Sequence, residues 1–101
     1  MKRQEQLARE LRAHGAPLGY SVEKGKNEYV VFCHRFDDQG CRVQVAVYFS
    51  EKFSRGYTVA TAITHPKRGK TQLLRKGCEW SDVLTLLQNP RQHTGRGYYQ
   101  K

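Results

Sequence analysis

The sequence predicts an α+β fold: one domain over residues 1–90, with a three- or four-stranded antiparallel sheet packed on an N-terminal and a C-terminal helix, then a basic tail over residues 91–101. Three observations carry this expectation. Apolar residues fall at helical spacing only near the two ends of the domain. The stretch between them consists of runs rich in Val, Phe and Tyr, separated by turn-forming residues. A length of 101 residues leaves room for one small core, too little for a Rossmann enzyme, a β/α barrel or a kinase. With 38% hydrophobic and 11% aromatic residues, the composition argues against wholesale disorder.

The first helix is expected over Lys2 to Ala13. Leu7, Ala8 and Leu11 make a narrow apolar stripe among good helix formers, and Gly15 with Pro17 ends it. Asn27–Phe36 and Cys41–Phe49 read as a β-hairpin about the turn Asp37-Asp38-Gln39-Gly40. With those four residues as the loop, Phe36 faces Cys41, His34 faces Val43, Phe32 faces Val45 and Val30 faces Val47. That register gives the helices an apolar face and leaves a basic-aromatic one of Tyr29, Arg35, Arg42, Gln44 and Tyr48. Gly56 to His65 reads as a third strand. Its bulkier residues, Tyr57, Val59, Thr61 and Ile63, belong with the core. The smaller Thr58, Ala60, Ala62 and Thr64 leave room on the open face for something flat. Pro66 to Gly69 is a basic turn, and Lys70 to Lys76 a short fourth strand whose charge suits an edge. In the last helix Trp80, Val83, Leu84 and Leu87 stand at i, i+3, i+4 and i+7, with Leu86 alongside, and the pattern stops at Asn89-Pro90.

This order of elements is similar to that of double-stranded-RNA-binding domains. The likeness ends at topology. Those domains have a Lys-rich lead-in to the second helix, where this chain has Gly77-Cys78-Glu79-Trp80-Ser81-Asp82.

The formal net charge is +9, and it is unevenly spread. Residues 1–64 hold ten Lys/Arg against seven Asp/Glu; residues 65–101 hold eight against two. A concentrated excess of this kind is the electrostatic footprint of a polyanion binder. Two patches carry it. The turn Lys67, Arg68 and Lys70, with Arg75 and Lys76 on the strand after it, suits phosphate contact, which needs charge but reads no sequence. In the tail, Arg91 and Arg96 alternate with Tyr98 and Tyr99, residues that stack on unpaired bases. The hairpin face of Tyr29, Arg35, Arg42 and Tyr48 is a third candidate surface. RNA or single-stranded DNA is favoured over duplex DNA, because neither helix is basic enough to read a groove.

Other functions find little in the chain. Arg68-Gly69-Lys70-Thr71 looks like the end of a phosphate-binding P-loop, but Thr64 stands where the first glycine is required. No nucleophile elbow or paired-His motif occurs. Cys33, Cys41 and Cys78, with His34 and His65, lack the spacing of a zinc site, and the expected hairpin register puts Cys33 and Cys41 on opposite faces. An odd number of cysteines and no apolar leader in MKRQEQLARELRAHG point to reduced thiols in the cytoplasm. No run approaches the roughly 20 apolar residues of a membrane span. The expectation is thus a non-enzymatic nucleic-acid binder without cofactor or metal. The alternative is an interaction module that docks an acidic protein surface.

Overall fold

A computed structural model describes residues 3–49 and 56–91 in full and residues 96–100 as backbone. Helix α1 (Arg3–Gly15) passes through a 3-10 turn, Ala16–Leu18, into strands β1 (Ser21–Lys24), β2 (Val30–Phe36), β3 (Arg42–Tyr48), β4 (Tyr57–His65) and β5 (Gly69–Cys78). Helix α2 (Trp80–Gln88) and strand β6 (Arg96–Gln100) follow. The strands form one antiparallel sheet in chain order, β1 to β6.

The α+β class with a helix at each end is as the sequence predicts. The strand number is not: among the described residues the sheet has six strands rather than three or four. Ser-Val-Glu-Lys in β1 has no strand signature of its own, and three of its four residues are exposed. Pairing with β2 makes it a strand. Arg96–Gln100 falls in the stretch expected to be a tail, yet its backbone pairs with β5, Leu73 opposite Gln100 and Leu74 opposite Tyr99. Strand β5 is consequently internal, not the edge its charge suggested. Helix α1 also runs past its expected end. Gly15 remains right-handed at φ −90°, and the chain reverses at Gly19, φ +92°.

The hairpin β2–β3 differs from expectation by one residue, and the difference reverses β2. Observed partners are Phe36 with Arg42, Arg35 with Val43, Cys33 with Val45 and Val31 with Val47. The turn sets this register. Asp37 N–H donates to Cys41 O (2.9 Å), Gly40 N–H donates to Asp37 O (3.1 Å), and Gly40 has φ +79°. Asp37 Oδ1 accepts the N–H groups of Gln39 (2.9 Å) and Cys41 (2.8 Å). The loop is therefore Asp38-Gln39-Gly40, a type I turn with a left-handed glycine after it, one residue shorter than the four expected. Because strand side chains alternate, this shift moves Val31, Cys33 and Arg35 to the helix side and Phe32, His34 and Phe36 to the other. Cys33 and Cys41 then share a face, a correction to their expected separation.

Both helices pack on one face of the sheet. Leu7, Ala8 and Leu11 of α1 and Val83, Leu86 and Leu87 of α2 meet Val31, Cys33, Val43, Val45, Val47 and Val59 in one dry core. Each large aliphatic side chain buried there contributes about 1.5–3 kcal/mol relative to exposure. Two polar ties fasten this layer. Tyr20 donates its hydroxyl hydrogen to Leu87 O (2.7 Å), joining the end of the 3-10 turn to the end of α2. Arg75, on the same face of β5, has no exposed surface. Its Nη1 donates to Thr61 Oγ1 (2.7 Å) and its Nη2 to Pro90 O (3.3 Å).

Candidate functional site

Among the described residues no helix covers the second face of the sheet, and alternation along five strands decides its composition. Its rows follow from the pairing. At the end bearing the β2–β3 and β4–β5 turns lie Phe36, Arg42, Thr64 and Lys70. Next come Ser21, His34, Gln44, Ala62 and Gln72, and then Glu23, Phe32, Ala46, Ala60 and Leu74, with Glu23 Oε1 3.5 Å from His34 Nε2. The small residues sit in the middle. They leave a hollow of about 330 Å³, edged by Phe32 and Tyr48 on one side and by Lys70, Gln72 and Leu74 on the other. The space the sequence predicted over Ala60 and Ala62 is thus present, although different neighbours border it.

The basic turn lies beyond the Lys70 end of this hollow. Pro66, Lys67 and Arg68 span β4 to β5 and are all exposed. His65 caps the turn: its Nδ1 accepts the N–H groups of Lys67 (3.0 Å) and Arg68 (3.1 Å), so the imidazole presents a lone pair there. This holds the two cationic residues in a fixed loop rather than on a loose one. The register then carries the charge onto the face, from Lys70 across Thr64 to Arg42.

A second group of cations lies nearby. The Cys41 N–H bond, followed by that from Gln39 and the charges of Arg91 and Arg35, holds the Asp37 carboxyl below the ordinary carboxylate range. Arg91 is exposed, and its N–H donates to Asn89 Oδ1 (3.3 Å). One end of the molecule thus gathers Lys67, Arg68, Lys70 and Arg42 around the two turns, with the charge of Arg91 felt at Asp37.

Other predicted site residues fall elsewhere. Arg75 does not face solvent; it is the buried fastener between β4, β5 and Pro90, because its position on β5 has the parity of the core. Lys76 is exposed but lies six residues along β5 from Lys70, roughly 20 Å away at strand rise. Tyr29 and Arg35 belong to the helix side, not to the face shared by Arg42 and Tyr48. Tyr29 packs edge-on to Phe49, with ring centroids 5.8 Å apart, and the Arg35 guanidinium lies 5.1 Å from the centre of the Tyr20 ring. Arg96 and Tyr99 take their places in the backbone register of β6, with Tyr98 between them; the side chains of all three lie outside the described residues.

Phe32, His34, Phe36, Gln72 and Leu74 belong to this face and were not singled out from the sequence. The signal that finds the first three is Asp37 with Gly40 three residues later, the signature of the shorter turn. Among the described residues no three His, Cys, Asp or Glu side chains gather as for a metal. Cys33 and Cys78 are buried within the core, and burial pushes their thiols up to about 12 and about 11. Among the described residues no helix is long and apolar enough to cross a membrane. No family model matches the chain, and comparison with curated proteins and with solved structures finds no match.

Proposed function

We propose that the protein is a non-enzymatic binder of single-stranded nucleic acid, RNA or DNA, which lies across the helix-free face of the sheet. The observation that carries this reading is the continuity of the basic turn with an aromatic-edged hollow: Lys67 and Arg68 lead through Lys70 and Arg42 directly onto it. Cations at that end neutralise phosphates, and Phe32 and Tyr48 supply flat apolar surface for unpaired bases. Arg91, at the same end, adds a further phosphate contact. Arg96, Tyr98 and Tyr99 belong to the outermost strand, whose backbone pairs with β5 beside this face. Rigid duplex fits less well, since neither helix is basic enough to serve as a recognition helix.

The test is fluorescence anisotropy of a labelled single-stranded oligonucleotide across a salt series. Affinity falls steeply with salt. In the triple variant Lys67→Ser, Arg68→Ser, Lys70→Ser the log–log salt slope drops by about 2, since each lost phosphate contact removes roughly 0.7 on a single strand. Absence of binding at low salt, or an unchanged slope in the variant, contradicts the proposal. Phe36, 71% exposed beside Arg42, favours one second reading, the docking of an acidic protein surface. Direct binding of a purified acidic partner at this face, undiminished by excess oligonucleotide, distinguishes it.

A further inference from the structure

We propose that the hollow on the open face reads the base of one nucleotide, and that Gln44 and Gln72 select adenine there. This rests on the single-strand reading above. The two glutamines stand in one row, on either side of Ala62, and both line the hollow. Two strand spacings place their Cα atoms roughly 10 Å apart. Between them the floor is Ala62, with Ala46 and Ala60 in the adjoining row, so no side chain rises past Cβ to obstruct a planar ring.

The alanines are informative because the fold does not ask for them. Alanine is a poor residue for central strands, and β3 and β4 carry three on one face while the other face of the same strands carries Val43, Val45, Val47, Val59 and Ile63. Positions that depart from local preference without a packing reason mark function. The carboxamides are informative for what they leave unused. Gln4 commits its Nε2 to three backbone carbonyls, those of Gly25 (3.1 Å), Asn27 (3.1 Å) and Val30 (3.0 Å). Among the described residues neither Gln44 nor Gln72 is committed to a hydrogen bond within the protein.

A carboxamide offers one donor and one acceptor side by side. Adenine is the base whose amino group is flanked by two ring acceptors, N1 and N7, so it presents a donor–acceptor pair to each of two carboxamides. Guanine offers two acceptors on the N7 side and repels one carboxamide's carbonyl. A pyrimidine has one such edge and covers less of the alanine floor. Lys70, two residues before Gln72 on the same face, remains for the adjoining phosphate.

The experiment uses four labelled strands, each an eight-uridine RNA with a central A, G, C or U inserted, titrated by anisotropy at fixed low salt. The wild type binds the adenine strand about tenfold more tightly than the uridine strand, the discrimination of one good bidentate contact. Gln44→Leu/Gln72→Leu, which keeps side-chain volume, abolishes the preference and leaves the salt slope intact. Each single variant loses part of it, and far-ultraviolet circular dichroism verifies that all are folded. Equal affinity for the four strands, or an adenine preference that survives the double leucine variant, overturns base reading while nucleic-acid binding stands. No binding to any strand overturns both.

Discussion

On the helix side, β2, β3 and β4 present Val31, Cys33, Val43, Val45, Val47 and Val59, none with appreciable exposure. One residue along each strand, the opposite face presents Phe32, His34, Gln44, Ala46, Ala60 and Ala62. The backbone and the hydrogen-bond ladders are common to both faces; only the demand on the side chains differs. The dry face is specified by volume and has few alternatives. The open face is free of that demand, and the proposed function assigns its cations, amides and aromatic edges to a partner. Substitutions on the first face are therefore expected to change stability, and those on the second to change binding.

The largest effect falls on the dry face. Leu86→Ala removes a fully buried side chain and costs about 2–5 kcal/mol, read from urea denaturation. Gln72→Ala on the open face stays within about 0.5 kcal/mol of wild type. Comparable losses at the two positions break the distinction. Arg75 tests it more sharply, because its charge suggests one face and its position the other. Arg75→Ala leaves the Thr61 hydroxyl and Pro90 carbonyl without their donor inside the protein and costs roughly 1–3 kcal/mol. Its oligonucleotide salt slope stays that of the wild type. A reduced slope with unchanged stability returns Arg75 to the binding surface.

The turn that assigns the faces is a smaller target. Gly40→Ala forces a side chain into a left-handed conformation at φ +79° and costs about 1–2 kcal/mol. The Asp37 carboxyl contributes through its charged form. Its folded value is depressed, so its contribution is present above the unfolded carboxylate range and is lost as pH falls through the folded value. The urea midpoints of wild type and Asp37→Ala are accordingly furthest apart near neutral pH and converge in acid. A gap independent of pH contradicts the ionised-turn account. The smallest effect is chemical: Cys33 and Cys78 resist iodoacetamide in the folded protein and react on addition of urea. Rapid labelling of either without urea shows that the dry face opens.

How much of this was legible in the sequence varies with the redundancy of the local pattern. In β3, Arg-Val-Gln-Val-Ala-Val-Tyr alternates cleanly, and Val43, Val45 and Val47 point inward as expected. Strand β4 behaves likewise, and α2 buries Val83 and Leu87 of its predicted stripe together with the flanking Leu86, while Trp80 and Leu84 are partly buried. In β2, Val30-Val31-Phe32-Cys33 is apolar at both parities, so alternation cannot choose a face and the turn chemistry decides. Strands β1 and β6 lack a local signature; partner strands define them. The basic turn was legible as charge. Its attachment to the hollow was not, because that depends on cross-strand register.

On the proposed function the helix-free face, from the basic turn to the alanine floor, is the binding surface. Nuclear magnetic resonance shift mapping with a short single-stranded RNA tests it most directly. Amide perturbations are expected to cluster on Lys67, Arg68, Lys70 and Arg42 and to continue to Gln44, Ala60, Ala62 and Gln72, with α1 and α2 unmoved. Perturbations confined to the helices, or none at low salt, contradict it.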